Sequence, residues 1–111
     1  MIPKYSRHQL EQFIVQENIV LRECVDLLER RIPLSDWSHD VRIAFLLAIQ
    51  PGEGQEAYKA FNLVRHLRVN GLLYDEAIPH PPTSLQRRCA ERIRADLSRL
   101  VRLGAGRYLH R

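Results

Sequence analysis

Between Val41 and Ile49 the chain reads Val-Arg-Ile-Ala-Phe-Leu-Leu-Ala-Ile, eight apolar residues with Arg42 as the one charge. A helix that is apolar all round leaves no face for water, so in a small protein it has to be covered on every side. At about 1.5 Å per residue the run spans roughly 14 Å, well short of the about 20 apolar residues a membrane-crossing helix needs. Val, Ile and Phe would also suit a buried strand. The flanks decide for a helix, because Ser35, Asp36 and Ser38 offer N-caps upstream and Gln50-Pro51-Gly52 stops the element downstream. The expectation is an all-α fold: a small bundle of about four helices around a central apolar helix at 41–49, with every other segment supplying one apolar stripe.

The chain has 111 residues, 45% of them apolar, which suits a single helical domain over 1–111. Ser6 followed by Gln9 has the form of a capping box, and no Gly or Pro occurs from Leu10 to Ile32, so a long first helix is expected to run up to Pro33. Two apolar stripes run along it. One is Leu10, Phe13, Val20, Cys24 and Leu27; the other is Ile14, Leu21, Val25, Leu28 and Ile32, interrupted by Asn18. In heptad terms Ile14, Leu21 and Leu28 share one seam position and Asn18, Val25 and Ile32 the other, and a polar residue inside such a seam is a device that fixes register and oligomer number. A helix with two apolar faces needs two partners. Ile14, Asn18, Leu21, Val25 and Leu28 are therefore the expected partner or dimer interface, set against a reading in which both stripes merge into one wide core face.

After the turn at Pro51-Gly52-Glu53-Gly54, a third helix is expected from Gln55 to Asn70, with Ala57, Phe61, Val64 and Leu67 as its apolar stripe and Tyr58 and Ala60 in support. Asn70-Gly71 followed by Leu72 reads as a left-handed helix cap. A Pro-rich connector at 78–83 is held extended by its prolines. Thr83 and Gln86 form a second capping box, opening a last helix to about Leu103 whose stripe is Leu85, Cys89, Ile93, Leu97, Leu100 and Val101. Gly104-Ala105-Gly106 is expected to end it, leaving a short basic tail at 104–111.

The formal charge of +4 conceals an asymmetry. Residues 1–83 carry nine Lys or Arg against eleven Asp or Glu, a balance of −2, whereas residues 84–111 carry eight Arg against Glu91 and Asp96, a balance of +6. On a continuous helix Arg88, Arg92, Arg99 and Arg102 would fall within roughly 80° of one another, an ordered basic stripe. Such a stripe can grip nucleic-acid phosphates, an anionic membrane surface or an acidic protein face. The plainer reading is a solvated face, with some arginines paired to Glu91, Asp96 or acids of the first helix.

The stretch Leu67-Arg-Val-Asn-Gly71-Leu72-Leu73, following the Pro51-Gly52 turn and the helix from Gln55, resembles the recognition helix and exit of winged helix-turn-helix regulators over about 30 residues. That resemblance implies a DNA-binding transcriptional regulator in which Arg65, His66 and Arg68 face the groove. The chain departs from the pattern where Pro79 to Pro82 occupy the place of the wing's second strand.

No catalytic pattern emerges. His8, His39, His66, His80 and His110 share no ligand spacing with one another or with Cys24 or Cys89, so no metal and no cofactor are expected. The two cysteines, on apolar helix faces, are expected as free buried thiols. Asp36, His39 and Asp40 meet at a helix start, where acids act as caps and dipole partners, and the glycines of the 51–54 turn lack the Lys-Ser/Thr of a phosphate loop. No signal-peptide run opens the chain, so the cytoplasm is the expected compartment. The reading is a non-enzymatic regulatory protein that binds another protein or itself, as a homodimer, through apolar helix faces. The alternative is the DNA-binding regulator.

Overall fold

The computed structural model describes residues 5–50, 54–74, 78 and 81–109. It is all-helical and compact: among the described residues there are five α-helices and one 3-10 turn, and no strand. The helices are α1 (Arg7–Glu29), α2 (His39–Ala48), α3 (Gly54–Val69), α4 (Ser84–Arg94) and α5 (Leu97–Leu109), with the 3-10 turn at Leu34–Asp36.

Helix α1 opens on the capping box read from the sequence. The Gln9 backbone N–H donates to Ser6 Oγ at 3.1 Å, and the Ser6 N–H to Gln9 Oε1 at 2.8 Å. It closes at Glu29, earlier than expected, because Arg31 takes a left-handed conformation with φ 59°. Ile32 N–H then reaches back to Leu27 O at 3.0 Å and Arg31 N–H to Leu28 O at 3.2 Å, the paired bonds of a Schellman cap. A non-glycine residue there is strained. The Arg31 side chain compensates from the same position, its Nη1 donating to the carbonyls of Leu103 and Gly104 at 3.3 and 3.4 Å.

The apolar run becomes α2, in which Val41, Ile43, Ala44, Phe45, Leu46 and Ala48 are buried while Arg42 and Leu47 are half-buried. Its start is tied to two other elements: Ser38 Oγ donates to Glu23 Oε1 of α1 at 3.3 Å, and Asp40 Oδ1 accepts from Gln86 Nε2 of α4 at 3.0 Å. Gln86 is buried, yet its amide oxygen also closes the capping box at Thr83, so both ends of the side chain are satisfied. Trp37 packs against Phe45 with ring centroids 4.9 Å apart and gives its indole N–H to Ile32 O at 3.0 Å. Helix α2 packs mainly on α4, and α3 mainly on α5, while α1 lies across α4, α5 and α2.

Helix α3 ends as the sequence indicates. Gly71 has φ 72°, and the Leu72 and Gly71 N–H groups reach Leu67 O and Arg68 O at 2.8 and 3.0 Å. The segment beyond is pinned by Leu34 N–H donating to Leu72 O at 2.9 Å. Residues 51–53 of the turn and residues 79 and 80 of the Pro-rich connector lie outside the described residues.

Two expectations about the last helix are corrected. It is two helices: Asp96 N–H bonds tightly to Ile93 O at 2.9 Å, and the Asp96 carbonyl then accepts from the Arg99 and Leu100 N–H groups at 3.1 Å each, opening α5. The glycines at 104 and 106 do not end it, for α5 continues to Leu109, so the basic tail at 104–111 is helical over most of its backbone. Gly104 is buried against α3, where an added Cβ would stand 2.8 Å from Leu63 Cδ1. The glycine lets two helices approach, and that contact outweighs its poor helix propensity of about 1 kcal/mol.

Candidate interaction surface

The core stops partway along α1. From Val20 onward the helix buries Val20, Cys24, Val25 and Leu28, but before Val20 only Phe13 and Glu17 are as much as half-buried. Leu10, Ile14, Val15 and Ile19 are 39, 52, 55 and 46% exposed. At 100° per residue Leu10 and Ile14 lie on the side that carries Leu21, Val25 and Leu28 into the core, and Val15 and Ile19 lie roughly 140° round from it. The core-facing stripe therefore runs out of its own chain and into solvent, with a second apolar pair beside it. Single exposed apolar residues are ordinary; four within ten residues of one helix are a surplus of exposed apolar surface.

The structure divides the five residues expected at the interface. Ile14 and Asn18 are exposed and Leu21 is half-buried. Leu28 is fully buried and belongs to the chain's own core, and Val25 is buried at the core's edge, where it reaches an open cavity. Asn18, Leu21, Arg22 and Val25, with Arg99 of α5, line an open cavity of about 320 Å³. A wider open cleft of about 620 Å³ lies on the other side of the overhang, lined among others by His8, Gln12, Phe13 and Leu85.

The four arginines of the expected stripe stand on two helices, Arg88 and Arg92 on α4 and Arg99 and Arg102 on α5. Arg88 turns inward: its Nε lies 3.5 Å from Glu17 Oε1 and its guanidinium carbon 5.0 Å from the centre of the Phe13 ring. Arg92 Nη2 donates to Asn18 Oδ1 at 3.4 Å, and Arg99 lies 3.9 Å from Asp96. Two of the four thus hold α4 against α1. Arg102 is exposed.

The outer face of α3 was not legible in the sequence. Phe61, assigned there to the apolar stripe, is 64% exposed, and Tyr58 is 69% exposed; Arg65, Arg68 and Val69 share that outward side. The inward side is built from Ala60, Leu63 and Leu67. His66 is half-buried with its Cβ near Gly104, so of the residues that the winged-helix resemblance assigns to a groove, only Arg65 and Arg68 are exposed. The described residues supply no strand for a wing.

Both thiols are inert by environment. Burial, with Glu23 nearby, pushes the Cys24 pKa far up, and burial, with Glu17 and Asp40, pushes that of Cys89 up to about 11. A protonated thiol is neither a nucleophile nor a metal ligand. Among the described residues no group of three His, Cys, Asp or Glu is placed to hold a metal ion, and no helix is long and apolar enough to cross a membrane. A scan of family models and searches of curated proteins and of solved structures found no match to this chain.

Proposed function

We propose that the chain is a non-enzymatic regulatory protein that works by binding, and that it associates with a second copy through the first half of α1. The observation that carries this reading is the exposure of Leu10, Ile14, Val15 and Ile19 on a helix whose later turns are core. A helical segment with little packed face is marginal in water, since most helical stability comes from tertiary burial rather than propensity. The overhang is consistent with a helix completed by association, as when an amphipathic helix lays its apolar side on another. Arg92 and Asn18 brace its base, and the capping box fixes its start. Sedimentation at tens of micromolar tests it: a dimer is expected, reverting to monomer in Ile14→Lys with Ile19→Lys while helicity is kept. A wild-type monomer at that concentration would remove the reading.

A second reading, nucleic-acid binding in the cytoplasm, is favoured by the outer face of α3. Tyr58 and Phe61 stand one turn apart beside Arg65 and Arg68, and no acid occurs from Ala57 to Tyr74. Aromatic rings that stack on bases next to arginines that meet phosphates are the chemistry of such a site. A mobility shift with generic duplex and single-stranded DNA, lost in Tyr58→Ala with Arg65→Glu, would favour it over the first.

A further inference from the structure

We propose that the two copies pair through antiparallel α1 helices, Ile14 and Val15 of each set against Ile19 and Asn18 of the other, at the edge of the hole formed by Asn18, Leu21, Arg22 and Val25. This rests on the reading of α1 as a self-association surface. The hole residues stand at positions i, i+3, i+4 and i+7, the four that receive a knob from a facing helix, and they line the open cavity of about 320 Å³ with Arg99 at its rim. Leu21 and Val25 give the hole an apolar floor. The Asn18 side-chain oxygen is already engaged by Arg92 of its own chain, so an apolar knob does not leave it stranded.

Charge selects the orientation. With the helices antiparallel and centred between Gln16 and Glu17, Ile14 faces Ile19, Val15 faces Asn18, Glu11 faces Arg22 and Arg7 faces Asp26. All eight positions are exposed. Glu11 and Arg7 then meet opposite charges, whereas Glu17 meets Gln16 and Glu23 meets Leu10, which falls beside the hole. In a parallel pairing in register, Glu11 would meet Glu11, Arg22 would meet Arg22 and Asp26 would meet Asp26. Like charges set opposite one another oppose pairing. The antiparallel arrangement is isologous, each contact occurring twice about a two-fold axis, so it closes at a dimer. The helices overlap over about 20 residues, roughly 30 Å.

Cysteine cross-linking separates the orientations. Ile14→Cys and Ile19→Cys lie at exposed positions, and the native Cys24 and Cys89 are buried. Under mild oxidation the mixture of the two variants is expected to form a disulfide-linked dimer much faster than either variant alone. In parallel, Glu11→Arg should weaken the wild-type dimer about tenfold, since each substitution acts twice, and Glu11→Arg with Arg22→Glu should restore it. Rapid cross-linking of Ile14→Cys alone, with wild type still dimeric by sedimentation, would overturn the antiparallel pairing and leave self-association standing. A monomeric wild type would overturn both.

Discussion

Arg88 sits with its Nε 3.5 Å from Glu17 Oε1 and its guanidinium over the Phe13 ring, bridging α4 to the last supported turns of α1. An arginine that periodicity assigns to a solvent stripe is thereby a structural link, while Arg102 on the next helix is exposed. Arg88→Ala should lower stability by about 1–2 kcal/mol through loss of a half-buried ion pair and a cation–π contact. Arg102→Ala should stay within about 0.5 kcal/mol of wild type. Urea unfolding of the two variants side by side checks the contrast; equal effects would mean that the stripe is uniform after all.

Phe45 is fully buried and packs on Trp37. Phe45→Ala should cost about 3–5 kcal/mol, transfer and cavity together, and should change the Trp37 emission in the folded state. A thermal midpoint near that of wild type would mean that α2 is not the core element its burial implies.

At Arg31 the left-handed backbone and the bonds to the Leu103 and Gly104 carbonyls act in opposite directions. Arg31→Ala loses the bonds and keeps the strain. Arg31→Gly loses the same bonds but relieves the strain, so it should be more stable than Arg31→Ala by about 1 kcal/mol. Equal stabilities would show that the Schellman cap does not form at that position.

What was legible in the chain follows from local chemistry. Ser6 with Gln9, Thr83 with Gln86, and Gly71 after Asn70 each satisfy backbone groups within a few residues, and all three appear where the letters place them. The features missed depend on contacts between distant segments. Nothing local at Ala95-Asp96 announces a break, for neither Gly nor Pro stands there. Gly104 looks like a terminator until Leu63 is seen against it. On α3, small Ala60 is what the neighbouring helix covers and large Phe61 is what it leaves out, the reverse of a ranking by side-chain size. Of the apolar residues left exposed on α1, Leu10 and Ile14 stood in the two stripes read from the sequence and Val15 and Ile19 in neither; which half of the helix is left uncovered was not legible, because that depends on how far α4 and α5 reach along it.

The thiols give a pH dependence with a definite sign. In the fold Cys89 moves from an ordinary 9.0 to about 11, and Cys24 moves further in the same direction, burial being the main cause for both. The folded chain keeps its thiol protons where the unfolded chain releases them. The stabilising contribution is therefore full below pH 9.0 and is lost as pH rises through about 11. Stability measured by urea should fall between those values, and less steeply in Cys89→Ala. Native protein at neutral pH should react with a thiol reagent only at the rate at which it opens. Rapid labelling of both cysteines without denaturant would contradict the burial that underlies this account.

Amide hydrogen exchange across α1 at low and at high protein concentration tests the central claim most directly. In a lone chain the turns before Val20 bury no residue and are held to α4 through Arg88 and Arg92, so their amides should exchange through local fraying while those of residues 20–28 exchange only on wider opening. If association covers Leu10, Ile14, Val15 and Ile19, protection of the amides from residue 10 to residue 19 should rise with concentration towards that of residues 20–28. Fast exchange of the first half of α1 at every concentration, beside a protected second half, would contradict it.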